Sequence, residues 1–288
     1  MIIDGKAVAA ALKAEIAETI KELPARFGRV PHLVVILVGE DPASQVYVRN
    51  KSKACEAVGF RSSTLILPAE TSEETMLAKV RELNEDDTVD GILVQLPLPR
   101  QIDEKKVIRT ISLEKDVDGF HPLNVAALWQ KMPCTVPCTP KGIMKLLAAA
   151  GVDPKGKRAV VIGRSNIVGL PVAKLLLDAN ATVTLCHTRT VDLASVTRQA
   201  EILVVAAGSP KMITGDMVSE GVVVIDAGID RDKEGKLCGD VDFDSVAPKA
   251  SFITPVPGGV GPMTIACLME NTLECFLNRF RGQPRNDG

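Results

Sequence analysis

Apolar residues along the chain fall into two alternating patterns, short continuous runs and longer stretches with helical spacing. In the first half, the short runs predict β-strands at positions 32–38, 63–68 and 91–96. The helical spacing predicts helices at positions 5–23, 42–58, 72–83, 103–111 and 122–130. Strands joined by helices of this length pair in parallel, so the first half is predicted to be an α/β layer structure.

Capping residues mark the ends of these helices. Asp4 and Thr71 are predicted N-caps, and Asp41 followed by Pro42 opens the helix that Gly59 ends.

A proline-rich stretch at 132–140 marks a boundary, after which the alternation resumes. Thr139-Pro140 is predicted to begin a helix that ends at Gly151. Strands are predicted at 158–163, 181–186, 201–208, 222–228 and 251–254, with helices from about 167, at 192–199 and at 263–280. The tail, 281–288, is predicted to be disordered. The second half is therefore an α/β structure in its own right.

Composition places the chain among ordinary globular proteins, with 46% hydrophobic and 24% charged residues. A net charge of −2 gives no electrostatic reason to expect nucleic acid or an anionic membrane as a partner. The N-terminal segment reads as a capped amphipathic helix rather than a signal peptide. No apolar run approaches the roughly 20 residues of a membrane-spanning helix. We therefore expect a soluble cytoplasmic protein.

The seven cysteines are mostly scattered through apolar runs, which indicates reduced thiols. Cys134 and Cys138 have tolerable spacing for half a zinc site, but no second Cys/His pair accompanies them. The segment DVDG suggests a calcium loop, yet the remaining ligand positions of that motif are absent. No metal site is predicted.

The segment VVIGRSNIVGLP (160–171) joins a predicted strand to a predicted helix. In the dinucleotide fingerprint G-x-G-x-x-G, glycines let backbone N–H groups approach a pyrophosphate at a helix N-terminus. Here Gly163 and Gly169 are present and the middle position is Ser165, a variant of the fingerprint. A tight strand–helix turn can also need glycine for structural reasons alone.

The next strand ends in His187-Thr188-Arg189-Thr190, without the carboxylate that binds the ribose hydroxyl of NAD. The guanidinium groups of Arg164 and Arg189 and the hydroxyl of Thr188 could pair with a 2′-phosphate. This pattern favours NADP over NAD. The alternative is that one or both arginines are ordinary surface residues.

The segment PVPGGVGPMT (255–264) places three glycines and three prolines before the last predicted helix. Prolines stiffen a loop, and glycines allow close approach to a ligand or a positive φ. A rigid interdomain turn explains the prolines well, but it explains Gly258, Gly259 and Gly261 together less well.

Tyr47 and Lys51 form a Tyr-x-x-x-Lys pair, the active-site signature of the short-chain dehydrogenases. In that class the nucleotide loop lies near the N-terminus and the pair follows it. Here the pair precedes Gly163, so chain order argues against this class.

Five segments, YVRNK, GILVQLPLP, DVDGFHP, GRSNIVGLP and PGGVGPMTI, occur in this order along the chain. Together they closely resemble the bifunctional methylenetetrahydrofolate dehydrogenase/methenyltetrahydrofolate cyclohydrolases, from about Asp4 to Phe280. The sequence departs from the family pattern in HTRT, where the family itself varies.

The resemblance implies two α/β domains, the second a Rossmann-like doubly wound parallel sheet, with the C-terminal helix packing back on the first. The folate-binding catalytic domain would comprise residues 1–138 and 263–288, and the NADP-binding domain residues 139–262. It also implies oxidation of methylenetetrahydrofolate with NADP and hydrolysis of the methenyl product to formyltetrahydrofolate. This activity would belong to one-carbon metabolism and purine biosynthesis, in a homodimer.

By the same resemblance, Lys51 is the proton-transfer residue of the hydrolysis. A lysine serves this role near neutral pH only where partial burial or nearby positive charge favours its neutral amine. Tyr47, one helical turn earlier, would pack on the substrate and hold the lysine. Gln95 would bond to Lys51 and orient it. Asp118 would accept hydrogen bonds from the pterin amino group and ring N–H.

The resemblance extends these roles to two binding sets. Predicted substrate-binding residues are Tyr47, Gln95, Leu96, Pro97, Asp118, Gly258, Gly259, Gly261 and Pro262. Predicted cofactor-binding residues are Gly163, Arg164, Ser165, Thr188, Arg189 and Ile229. Asp116 is interpreted as a turn residue and His121 as a structural hydrogen-bonding residue.

Two further alternatives stay open. A monofunctional dehydrogenase of the same family would share the fold and most of the motifs. A non-catalytic nucleotide-binding protein on the same fold is disfavoured, because Lys51 and Asp118 are costly polar residues that such a protein has no reason to keep.

Overall fold

The computed structural model describes residues 1–281, which divide into two units. One unit comprises residues 1–11 and 136–267, and the other comprises residues 12–135 and the chain from Leu268 onward. The prediction of a disordered tail falls, except for Arg281, outside the described residues. Within residues 1–281, none of the helices has the length and apolarity needed to cross a bilayer.

The unit containing residues 12–135 is built on a parallel sheet of three strands in the order β2-β1-β3. The strands are β1 (His32–Val38), β2 (Arg61–Leu67) and β3 (Gly91–Val94). The helices are α1 (Gly5–Phe27), which begins in the other unit, α2 (Pro42–Val58), α3 (Glu73–Glu85), α4 (Glu104–Thr110) and α5 (Pro122–Trp129). Every residue of the central strand β1 is buried, as expected for a strand covered on both faces.

Local sequence explains the limits of α2. The Asp41 side chain accepts a hydrogen bond from the Ser44 N–H, Pro42 occupies the first turn, and Gly59 ends the helix with φ of 86°. These predicted boundaries are confirmed. For α3 the predicted cap is wrong by one residue. Ser72 accepts from the Thr75 N–H, whereas the Thr71 hydroxyl donates to the Pro68 carbonyl.

The C-terminal helix α10 (Val260–Arg279) packs on this unit through its second half. The ring of Phe276 is fully buried and meets the ring of Phe27 edge to face, with centroids 5.5 Å apart. The buried carboxylate of Asp90 accepts hydrogen bonds from the guanidinium groups of Arg29, at 2.6 and 2.8 Å, and Arg279, at 3.3 Å. The predicted packing of the C-terminal helix on the first α/β unit is therefore confirmed.

The other unit contains a five-stranded, wholly parallel sheet in the order β10-β7-β6-β4-β5. Its strands are β4 (Arg158–Ile162), β5 (Thr182–Cys186), β6 (Ile202–Val205), β7 (Val223–Asp226) and β10 (Phe252–Ile253). Its helices are α6 (Cys138–Ala149), α7 (Gly169–Asp178), α8 (Leu193–Thr197) and α9 (Phe243–Val246). An antiparallel pair joins β8 (Asp230–Arg231) to β9 (Leu237–Cys238). The Rossmann-like fold class is confirmed.

The differences from the predicted elements are local. The pair β8–β9 and helix α9 were not predicted, because elements of two to four residues are too short to show a period. Helix α6 starts at Cys138 and helix α10 at Val260, so Gly261 and Pro262 lie in the first turn of α10 rather than in the preceding loop.

Candidate active site

Lys51 and Gln95 form the centre of the candidate site. Lys51 lies on α2, and its Nζ donates a hydrogen bond to Gln95 Oε1 at 3.0 Å. Gln95 directly follows β3, and its Nε2 donates to the Leu96 carbonyl at 2.7 Å. Because the amide nitrogen is held by the main chain, its oxygen faces the lysine. The predicted contact between Lys51 and Gln95 is present.

Tyr47 lies one turn before Lys51 on α2, with 37% of its surface exposed. Val48, Ala54, Cys55 and Val58 form the buried side of the same helix. Side chains four residues apart on a helix are neighbours, so Tyr47 and Lys51 project from the same face. The predicted contact of the Tyr47 ring with substrate stays a prediction.

Two aspartates in the loop before α5 have different surroundings. The Asp116 carboxylate is buried and accepts hydrogen bonds from the N–H groups of Gly119, Phe120 and His121 and from Asn124 Nδ2. These four hydrogen bonds occupy the acceptor sites of the Asp116 carboxylate and fix the turn between Asp116 and α5. Asp116 is therefore a turn residue, as predicted.

Asp118 lies two residues further along the same loop. Burial of its carboxyl group raises the pKa of Asp118 to about 6, the positive charge of Lys51 opposes this rise, and the charge of Asp116 adds to it. Asp118 also lines a cavity of about 10 Å³ whose other walls are mostly apolar, formed by Ile92, Val94, Leu96, Ile108, Ile111, Asp116 and Phe120. At neutral pH the Asp118 carboxyl is therefore ionised in most molecules, and its negative charge interacts with the positive charge of Lys51.

The loop that carries Asp118 is anchored at two further points. Lys115 is buried, and its Nζ donates to the carbonyl groups of Leu83, Asn84 and Asp86 at the end of α3. Asn271 Nδ2 donates to the Val117 carbonyl at 2.9 Å. Sequence reasoning missed both anchors, since a lysine in a polar loop gives no local signal of burial.

His121 and His32 have structural partners. His121 Nδ1 accepts a hydrogen bond from the Leu123 N–H and caps α5, which confirms its predicted structural role. His32 Nε2 lies 2.9 Å from Ser63 Oγ, on the neighbouring strand β2.

The candidate nucleotide loop follows β4 in the other unit. Gly163 has φ of 112°, and a Cβ placed there would lie 2.1 Å from the Ala206 carbonyl oxygen. A Cβ on Gly169 would lie 2.1 Å from the Gly163 carbonyl oxygen. Packing alone therefore requires both glycines. The Ser165 Oγ accepts hydrogen bonds from the N–H groups of Val168 and Gly169, so the residue in the middle position closes the turn that leads into α7.

Arg164, Thr188 and Arg189 follow neighbouring parallel strands at the same edge of the sheet. Ile162 of β4 pairs with Cys186 of β5, and all three side chains are exposed. Two guanidinium groups and one hydroxyl form a donor set suited to a phosphorylated nucleotide, and the ten-residue helix α7 adds the positive end of its dipole. The chemistry of these residues fits NADP.

The turn after β5 is fixed by its own side chains. Thr190 Oγ1 accepts from the His187 N–H, and His187 Nδ1 accepts from the Arg189 N–H. These two bonds set the backbone on either side of Thr188.

The three glycines around the start of α10, Gly258, Gly259 and Gly261, are required for different reasons. Gly258 has φ of 111°, and a Cβ on Gly259 would lie 2.6 Å from the Pro255 carbonyl oxygen. Backbone conformation and packing thus explain both. A Cβ on Gly261 would meet only Ile229 Cδ1, at 4.0 Å. Among these three, Gly261 is the one for which close approach of a ligand remains the better explanation.

The structure places the predicted residues in two groups, one in each unit. The residues in the unit containing 12–135 are Tyr47, Lys51, Gln95, Leu96, Pro97 and Asp118. Those in the unit containing 136–267 are Gly163, Arg164, Ser165, Thr188, Arg189, Ile229, Gly258, Gly259, Gly261 and Pro262. In residues 1–281, no three His, Cys, Asp or Glu side chains form a group that could hold a metal ion.

Fold and site together define an α/β protein in which a Lys–Gln–Asp group and a Rossmann-type nucleotide site lie in separate units. Residues 3–118 match the model of the tetrahydrofolate dehydrogenase/cyclohydrolase catalytic domain, and residues 137–280 match that family's NAD(P)-binding domain. The chain belongs to the tetrahydrofolate dehydrogenase/cyclohydrolase family.

Individual relatives are similar over nearly their whole length. A bifunctional protein FolD from Moorella thermoacetica is 61% identical over 95% of this chain and 97% of the relative. The crystal structure of the bifunctional FolD enzyme from Campylobacter jejuni is 51% identical, with a TM-score of 0.95 over 97% of this chain and 99% of that one. The Trypanosoma brucei enzyme, complexed with NADP cofactor and inhibitor, is 43% identical, with a TM-score of 0.94 over 98% and 99% of the two chains.

Proposed function

We propose that this protein oxidises 5,10-methylenetetrahydrofolate to the 5,10-methenyl form with NADP and hydrolyses the methenyl form to 10-formyltetrahydrofolate. The observation that carries the proposal is the hydrogen bond from Lys51 Nζ to Gln95 Oε1. It supplies a positioned proton-transfer group, which hydrolysis needs and hydride transfer does not. The contact therefore favours the bifunctional enzyme over a monofunctional dehydrogenase.

For the oxidation, NADP supplies the hydride acceptor when bound. The protein contributes binding and orientation. Arg164, Arg189 and Thr188 would hold the 2′-phosphate, and the N-terminus of α7 would face the pyrophosphate. This donor set, with no carboxylate at positions 187–190, supports NADP rather than NAD.

For the hydrolysis, water adds to the carbon of the methenyl cation and loses one proton, which Lys51 accepts. The bond from that carbon to the ring nitrogen at position 5 then breaks as the hydroxyl of the adduct becomes the formyl carbonyl. The hydroxyl proton is released to solvent, and the nitrogen takes up the proton that Lys51 returns. The product carries the formyl group on nitrogen 10. Gln95 holds the lysine amine in place throughout.

Asp118 would bind the pterin, since an ionised carboxylate accepts from an amino group and an adjacent ring N–H together. Tyr47 would pack on the substrate and hold Lys51, while Leu96, Pro97, Gly258, Gly259, Gly261 and Pro262 would contact it. Ile229 would contact the cofactor.

Further proposals concern the domain limits, the location, the oligomeric state and the pathway. The folate-binding catalytic domain would comprise residues 1–138 and 263–288, and the NADP-binding domain residues 139–262. We place the enzyme in the cytoplasm as a homodimer serving purine biosynthesis, without nucleic acid or membrane partners. The near-neutral net charge of −2 supports the last point.

A spectrophotometric assay with methylenetetrahydrofolate, run in parallel with NADP and NAD, tests the activity and the cofactor together. We expect reduction of NADP in preference to NAD, and separate loss of the methenyl absorbance in a cyclohydrolase assay without nucleotide. No turnover with either nucleotide would reject the dehydrogenase, and a stable methenyl signal would leave the monofunctional alternative.

A further inference from the structure

The loop that follows β6 is closed around one buried carboxylate. Asp240 is fully buried, and its Oδ2 accepts hydrogen bonds from the N–H groups of Ala207, at 2.7 Å, and Gly208, at 3.1 Å. Its Oδ1 accepts from the Ser209 N–H at 2.7 Å. Three consecutive N–H groups directed at one anion form the type of backbone concavity that binds anions in many proteins. Here the anion is a side chain of the protein itself.

This loop lies at the edge of the sheet where open α/β sheets bind ligands. Strand β4 has β5 on one side and β6 on the other, so the strand order reverses between β4 and β6. Ligands of such sheets bind outside the carboxyl ends of the strands at this reversal. The loop held by Asp240 begins next to Ala206, whose carbonyl oxygen would lie 2.1 Å from a Cβ at Gly163. It is therefore packed against the nucleotide loop.

A second buried carboxylate fixes Asp240. Asp226, at the end of β7, accepts hydrogen bonds from the N–H groups of Gly228, Asp240 and Val241. A Cβ on Gly239 would lie 2.0 Å from Asp226 Oδ2, so the chain approaches this carboxylate as closely as glycine allows. The same aspartate thus holds the backbone of Asp240 and the turn that precedes Ile229.

We propose that Asp240 is a positioning residue for nucleotide binding, which sets the backbone of residues 206–209 against the Gly163 loop so that NADP can bind. The proposal rests on the proposed function. Burial of a carboxylate costs free energy, and here that cost is offset by hydrogen bonds that shape this edge of the sheet. Asp240 lies in the nucleotide-binding unit, so its effect should fall on NADP binding rather than on the folate reaction at Lys51.

Asp240→Asn and Asp240→Ala test the proposal, with NADP dissociation constants measured by titration calorimetry. In Asp240→Asn the amide nitrogen cannot accept, so at least one of the three N–H groups loses its partner, and we expect the Kd for NADP to rise about tenfold. Asp240→Ala removes all three acceptors and should weaken binding further. Methenyl hydrolysis, which uses no nucleotide, should stay within about twofold of wild type.

Two control variants separate positioning from general destabilisation. Asp244→Asn changes an exposed carboxylate of the same segment and should leave the Kd for NADP unaltered. Thr197→Val changes a buried residue at the end of α8 and removes its hydrogen bond to the Met217 carbonyl, so it should lower the melting temperature without altering the Kd.

Wild-type affinity for NADP in Asp240→Asn, or parallel losses of NADP binding and methenyl hydrolysis, would overturn the proposal. If Asp240→Ala does not fold, the Kd of Asp240→Asn for NADP decides whether the proposal holds. Absence of NADP binding by the wild-type protein would instead reject the proposed cofactor, so the two failures are distinguishable.

Discussion

Lys51 Nζ lies 3.0 Å from Gln95 Oε1, and this contact joins helix α2 to the end of strand β3. The partner is a neutral amide whose nitrogen is already bonded to the Leu96 carbonyl. A carboxylate in that position would hold the lysine equally well but would stabilise its charged form. The amide fixes the position of the amine without itself adding a negative charge.

Lys51→Met should abolish methenyl hydrolysis and retain part of the dehydrogenase activity. General acid–base groups contribute roughly 100-fold or more, so we expect the cyclohydrolase rate to fall by at least about that factor. Both rates are measured on one preparation, with Lys53→Met, an exposed lysine of the same helix, as the control. Undiminished hydrolysis in Lys51→Met would refute the role of Lys51.

Tyr47→Phe should leave measurable dehydrogenase activity. The ring that packs on substrate is kept and only the hydroxyl is lost, so we expect a modest loss in hydrolysis. In a short-chain dehydrogenase the tyrosine hydroxyl is the proton donor, and the same change would abolish all activity. Complete loss of hydride transfer in folded Tyr47→Phe protein would therefore count against the proposed assignment.

Binding of the folate substrate should weaken below about pH 6, because burial raises the pKa of Asp118 to about 6 and only the ionised carboxylate accepts both pterin donors. The KM for methylenetetrahydrofolate should rise as the pH falls through this value. Burial also raises the pKa of Asp226 to about 6, so wild type alone does not identify the group. Asp118→Asn should have a high KM that is nearly independent of pH in this range; retention of the full pH dependence in that variant would exclude Asp118.

The raised pKa of Asp118 also affects the stability of the fold. A carboxyl whose pKa is raised by folding binds its proton more tightly in the folded state, so its contribution to stability declines as the pH rises from the unfolded value toward 6 and stays low above that. Asp118→Asn should therefore unfold at higher denaturant concentration than wild type at pH 8. A lower midpoint at that pH would show that the ionised carboxylate stabilises the fold.

Gly261→Ala and Gly259→Ala should have opposite effects. A methyl group at Gly261 meets only Ile229 Cδ1 at 4.0 Å, so Gly261→Ala should fold and gain up to about 1 kcal/mol from helix propensity while losing substrate turnover. At Gly259 a Cβ would lie 2.6 Å from the Pro255 carbonyl oxygen, so Gly259→Ala should lower the melting temperature. Full activity in Gly261→Ala would remove the case for a ligand near that residue.

The sequence predicted most of the fold because its signals are local. The buried run of β1 and the caps Asp41 and Gly59 act over a few residues, and the structure confirms them. Contacts that depend on distant segments had no such signal. The burial of Lys115 under the end of α3 and the three N–H groups around Asp240 arise only once the chain is folded. The Lys51–Gln95 contact was expected from family resemblance, since no spacing rule connects the two residues.

Asp116 and Asp118 carry the same side chain in different surroundings. The Asp116 carboxylate accepts hydrogen bonds from three backbone N–H groups, whereas for Asp118 we propose a ligand as the partner. Val117 between them is fully buried. Deleting one residue here would move an aspartate into the apolar position of Val117, whereas changing a side chain would leave both positions in place. The length of Asp-Val-Asp is therefore a stricter requirement than its composition, and relatives should vary in this loop by substitution rather than by insertion or deletion.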